Sequence, residues 1–108
     1  MSTHSLGEFE ELVLLMVASL HNEAYGVAIK EGLESKLSRK ISISAIHVSL
    51  KRMEEKTYVK SRYGGITAMR GGRRKKFYEI TALGKEKLDE QYAIRTQMYQ
   101  QIPKISFD

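Results

Sequence analysis

The apolar positions along the chain form four helical stretches and one pair of alternating runs. Leu12 to Ala18 is apolar nearly all round. With Glu8, Glu10 and Glu11 in the early turns, where the helix dipole favours acids, it predicts a first helix from Leu6 to about Leu20. A helix of that kind in a small domain must be covered on several sides. Ala24-Tyr25-Gly26 opens a second helix with Val27, Ile29, Leu33 and Leu37 directed to the core, ended by Ser38-Arg39-Lys40. Gly32 inside it costs helix propensity, with no reason visible in the sequence. Ile41 and Ile43, alternating with Ser42, suit a short strand that leads into a third helix. There Ile46, Leu50 and Met53 share one face, and Ser44 stands where an N-cap belongs. His47, Ser49, Lys51, Arg52 and Lys56 fall on the other face.

After Thr57 the period changes to two. Tyr58 to Tyr63 and Lys75 to Ile80 suit two strands of a hairpin, with Gly64, Gly65, Gly71 and Gly72 between them. Thr81 is a good N-cap for a last helix from Ala82 to about Ile102, stopped by Pro103. Leu88, Tyr92, Tyr99 and Ile102 form one stripe on it, with Ile94 and Met98 alongside. Once a three-helix core is filled, that stripe has nothing of its own left to cover, and dimerisation is its natural use. Met1 to Ser5 reads as a loose end. The predicted fold is therefore mostly α with a small β-hairpin. A winged helix-turn-helix with its N-terminal helix spans residues 1–81, and a C-terminal dimerisation helix spans 82–108, the two forming one compact unit.

Charge sharpens this picture. Of the 108 residues, the stretch from Lys51 to Lys76 holds ten Lys/Arg against only Glu54 and Glu55, whereas the rest holds eight against eleven acids. A basic segment on a mildly acidic body is the electrostatic footprint of a polyanion partner. Arg70, Arg73, Arg74, Lys75 and Lys76 fall within seven positions without an acid, beside two glycines that permit close approach to a surface. Such arginines pair with phosphate bidentately or enter a minor groove. On the third helix, exposed residues face a groove in this layout, which makes Ser44, His47, Ser49, Lys51 and Arg52 the candidates for bases and phosphates.

Other chemistries find little support. The chain has no cysteine, which excludes disulfides, thiolate metal sites and a cysteine nucleophile. His4, His21 and His47 lack ligand spacing, so no metal site is expected. No nucleophile elbow, Walker-type loop or dinucleotide fingerprint is present, and neither catalysis nor a cofactor is expected. The longest apolar run is far short of a membrane span, and no signal peptide is visible, which points to the cytoplasm.

Taken together, three stretches resemble the PadR-family transcriptional regulators, in particular the short subfamily with a single C-terminal helix. They are Leu6-Gly7-Glu8-Phe9-Glu10-Glu11-Leu12-Val13-Leu14-Leu15, Ala24-Tyr25-Gly26-Val27-Ala28-Ile29, and Gly71 through Thr81 with Gly84. The resemblance implies a homodimer on double-stranded DNA at a palindromic operator, with the last helix, helped by the first, building the dimer. It also implies repression, often relieved by a small molecule at or near the dimer interface. For a planar apolar effector the candidate surface is Phe9, Met16, Leu88, Tyr92, Met98, Tyr99 and Ile102. The chain departs from similar proteins in three places. His47 stands where a tyrosine is usual, Thr57 where a glycine usually ends the third helix, and there is no tryptophan. The competing classes are an RNA-binding or ribosome-associated basic module and a winged-helix interaction adaptor. The operator sequence, the regulated genes and the effector's identity are not encoded in any motif.

Overall fold

In a computed structural model, the described residues are 6–66 and 74–108. They form α1 (Glu8–Leu20), a 3₁₀ turn (His21–Glu23), α2 (Gly26–Leu37), α3 (Ile43–Glu55), strands β1 (Val59–Ile66) and β2 (Arg74–Ile80), and α4 (Ala82–Gln100). Met1 to Ser5, expected as a loose end, lie outside the described residues.

Helices α1, α2 and α3 close on a shared core. Val13 and Leu14 of α1, Ile29 of α2, and Ile46, Leu50 and Met53 of α3 are all fully buried. The face expected of the third helix is thus the face it buries. Gly32 acquires a reason here, because a Cβ at that position would stand 2.7 Å from Met16 Sδ. The glycine lets α2 approach α1 at the cost of helix propensity. Val27, expected in the core, is half exposed instead, because only Ile29 and Leu33 of α2 are fully turned inward.

Two expectations about the start of α3 are corrected. Its N-cap is Ser42, whose Oγ accepts from the Ala45 amide at 3.1 Å, and not Ser44. Ile41 and Ser42 belong to no strand, and Ile43 is already the first residue of the helix. Among the described residues, the sheet gains its third contributor elsewhere: Tyr25 bridges Phe77 in antiparallel fashion, and the Tyr78 amide donates to the Ala24 carbonyl at 2.7 Å.

β1 and β2 pair antiparallel from Val59 opposite Ile80 to Tyr63 opposite Lys76, with an irregularity before Ile66 meets Arg74. Tyr58, Val59 and Tyr78 anchor the base of this hairpin in the core. α4 starts as expected, with Thr81 Oγ1 accepting from the Gly84 amide at 3.0 Å, and ends two residues before Ile102. Gly84 and Leu88 are its buried residues. Beyond them Tyr92, Ile94, Met98, Tyr99 and Ile102 are exposed, Tyr99 by 76%.

Candidate DNA interface

The turn between α2 and α3 is held by one carboxylate. Ser38 closes α2 in a left-handed conformation. Glu34 Oε2 then accepts from the Ile41 amide at 2.8 Å, while its other oxygen accepts from Lys30 Nζ at 3.2 Å. These donors, the backbone amide first, hold the Glu34 carboxyl below its ordinary range. With Ile41 buried behind it, the turn fixes where α3 begins.

At about 100° per residue, the pole opposite Ile46, Leu50 and Met53 falls among Ser44, Val48 and Lys51, with His47 on one flank and Arg52 on the other. All five of these side chains are exposed. Neither Lys51 nor Arg52 forms an ion pair with another described residue. Ser49 does not belong to this set: it is 5% exposed, turned toward the core side of the helix. Lys56 also leaves the set, since its Nζ lies 3.0 Å from Glu10 Oε1 and ties the end of α3 to α1.

The wing is mounted on the start of α2 by aromatic rings that also carry its cations. Phe77 meets Tyr25 edge to face at 5.6 Å, and its ring lies across Gly64, where a Cβ would collide with it. The Arg62 guanidinium sits 4.9 Å from the Phe77 ring centre, and Lys75 Nζ 4.2 Å from that of Tyr25. Lys76 Nζ lies near both Tyr78 and Tyr63, at 5.6 and 6.0 Å. Each ring face attracts the cation and restricts where the flexible stem can place it.

Between the wing, α2 and α3 lies an open cleft of about 340 Å³, lined by Tyr25, Gly26, Val27, His47, Lys75, Lys76 and Tyr78. The His47 ring packs at the mouth of α2: a Cβ on Gly26 would stand 3.0 Å from its Cε1. A second depression, on the Arg52 flank of α3, is lined by Phe9, Ser42, Ser44, Ala45, Val48, Ser49 and Arg52. The structure thus brings His47, Lys75 and Lys76 together, and separately Ser44 and Arg52. Arg70 and Arg73 lie outside the described residues, and Arg74 takes the first position of β2.

Sequence reasoning misses Val48, Tyr25 and Phe77. Val48 goes unassigned because it is neither on the face of Ile46, Leu50 and Met53 nor a polar or charged side chain. Tyr25 and Phe77 carry a signal only as a pair, an aromatic before a helix-opening glycine and another inside the basic strand.

The residues expected at an effector surface between subunits lie in different surroundings within one chain. Met16 is buried against Gly32, and Phe9 faces the depression beside α3. Tyr92, Met98, Tyr99 and Ile102 are exposed on α4, while Leu88 is buried. Polar contact between α1 and α4 runs through Glu11, whose Oε1 accepts from Gln91 Nε2 at 3.2 Å and from Arg95 Nη2 at 3.0 Å.

Among the described residues, no group of His, Asp or Glu is gathered that could hold a metal ion, and no helix is long and apolar enough to cross a membrane.

Three helices, an antiparallel hairpin and a basic wing folded beside the exposed face of α3 define a winged helix-turn-helix. The family model of PadR-like transcriptional regulators matches residues 14–90, and the chain belongs to that family of DNA-binding regulators rather than to a family of enzymes. It is 28% identical over 86 residues to an uncharacterised protein of Lysinibacillus sphaericus, covering 78% of this chain and 74% of the relative. It is also similar to a PadR-family regulator from Clostridium difficile R20291, with 28% identity and a TM-score of 0.64, covering 87% of this chain and 97% of that one. A TM-score of 0.66 relates it in fold to Bacillus subtilis PadR, a structure in complex with operator DNA, at 22% identity, covering 93% of this chain and 52% of that one.

Proposed function

We propose that this protein is a repressor that binds a palindromic operator as a homodimer. In this reading α3 enters the major groove, and Lys75, Lys76 and the arginines at positions 70, 73 and 74 engage the backbone. The supporting observation is the cleft in which His47 of α3 and Lys75 and Lys76 of the wing converge on the start of α2. Two separate elements, α3 and the wing, there offer donors and positive charge to one surface, as a phosphate backbone requires. That Bacillus subtilis PadR was solved with operator DNA supports carrying the same use to this chain.

The homodimer is supported by α4, whose exposed Tyr92, Ile94, Met98 and Tyr99 would be costly to leave in water. Two heads held by such a contact read a two-fold symmetric site, because protein symmetry is mirrored in the half-sites. A planar apolar effector would take the tyrosine and methionine surface between the two copies of α4, and would relieve repression only by binding the DNA-incompetent arrangement more tightly.

Selection of bound duplexes from a random pool, followed by sedimentation of the complex, tests the reading. The expected result is a two-fold symmetric site occupied by two chains. An asymmetric site held by one chain, or preference for single-stranded RNA, would refute it. Replacing Lys75 and Lys76 by alanine should weaken binding to selected and random duplexes alike. The slope of log K against log salt should fall by about 0.9 for each phosphate that is no longer neutralised.

A further inference from the structure

We infer that Val48 is a specificity-determining residue that reads thymine 5-methyl groups on the floor of the major groove. The inference rests on the proposed placement of α3 in DNA. Val48 is half exposed, although the apolar side of α3 is fully occupied by Ile46, Leu50 and Met53. It therefore has no share in the core. Its position is the middle of the outward face, with Ser44 one turn before it and Arg52 one turn after.

The surroundings divide the labour. On one flank His47 leans into the cleft toward Lys75 and Lys76, where a phosphate would lie. On the other, Ser44, Val48 and Arg52 border one depression with Phe9. A β-branched residue is a poor choice for an exposed helix position on propensity alone, and among polar neighbours it offers no hydrogen bond. What it does offer is a compact apolar surface at the point of the helix that would penetrate deepest. In a major groove the apolar feature that distinguishes one base from another is the thymine methyl, whereas serine and arginine take the flanking donor and acceptor edges. The occupant is therefore an operator half-site whose centre carries thymine, read by Val48.

The test uses the full-length protein and the duplex that it selects from a random pool, made with thymine and then with deoxyuridine replacing each thymine in turn. Removal of one buried methyl is worth about 0.8 kcal/mol, or about fourfold in affinity. Wild type should weaken by about that much at one or two positions in each half-site. The Val48→Ala variant, whose folding is verified by its thermal midpoint, should bind thymine and uracil forms equally there. Arg52→Ala should weaken binding while keeping the thymine preference at those positions. A wild type indifferent to every uracil overturns the inference but leaves the DNA-binding reading standing. So does a Val48→Ala variant that retains the full discrimination. Failure to select any duplex overturns both.

Discussion

Gly84, in the first turn of α4, lies directly against the main-chain carbonyl of Tyr58, so that a Cβ at position 84 would overlap that oxygen. The same carbonyl accepts from the Thr81 amide at 3.0 Å, and Thr81 Oγ1 donates to the Thr57 carbonyl at 2.7 Å. Residues 57–58 and 81–84 thus form one joint, which sets the direction in which α4 leaves the winged-helix body. Gly84→Ala should destabilise the protein by about 1–3 kcal/mol, since backbone must move to admit the methyl. At Gly32 the obstacle is only the flexible thioether of Met16, and alanine gains up to about 1 kcal/mol of helix propensity. Gly32→Ala should therefore remain within about 1 kcal/mol of wild type in urea denaturation. Equal costs for the two would show that the joint is not tighter than the helix packing.

Thr57, two residues past the end of α3, has φ at 63°, a left-handed conformation that a β-branched residue adopts at a cost. Thr57→Gly should raise stability by about 1 kcal/mol, because the Thr57 carbonyl held by Thr81 survives the change. Thr57→Val should not share the gain. Thermal melts of the three proteins decide the matter, and a less stable glycine variant would mean that the Thr57 hydroxyl matters more than the backbone.

Acid should loosen the helix-turn-helix turn through Glu34. Its carboxyl titrates below the ordinary value of 4.5 in the folded chain, so it contributes stability above about pH 4.5 that disappears as pH falls through the lowered value. Glu34→Gln should be less stable than wild type near neutrality, and the difference should shrink below pH 4.5. A difference independent of pH would assign the effect to packing alone.

The Lys56–Glu10 pair is the partly buried ion pair between α3 and α1, with Glu10 also accepting from the Gly7 amide at 3.3 Å. Lys56→Met strands a carboxylate that is only 8% exposed, and should cost about 1–3 kcal/mol. Arg62→Met, which removes the diagonal pair with Glu79 in the exposed hairpin, should cost about 0–1 kcal/mol. Denaturant titration of both variants checks the ranking.

The sequence reading is sound where periodicity and burial coincide, and fails where two neighbouring residues satisfy the same rule. Ile46, Leu50 and Met53 are legible because three large apolar residues at helical spacing admit one phase. Ser42 and Ser44 both make acceptable caps, and the choice is made by Glu34 gripping Ile41 seven residues away, which no local pattern contains. That choice of start is also tied to Ile43 being helical rather than extended. The basic wing is legible as charge. Its mounting through Tyr25 and Phe77 is not, because a ring contact across 52 positions leaves no periodic trace. Val48 is passed over because it belongs to neither the apolar stripe nor the polar set, and Ser49 is misplaced because polar is taken to mean exposed.

The last buried residue of α4 is Leu88, twelve positions before the helix ends at Gln100. An isolated helix of that length is marginal in water, so the outer half of α4 draws on whatever surface covers Tyr92, Met98 and Tyr99. With a second copy as that cover, folding and assembly become one equilibrium. The amount of protein in the cell then acts as a setting of its own: the melting midpoint rises with concentration. In the proposed homodimer, dilution below the dimerisation constant would cost the chain its grip on DNA and part of its fold together.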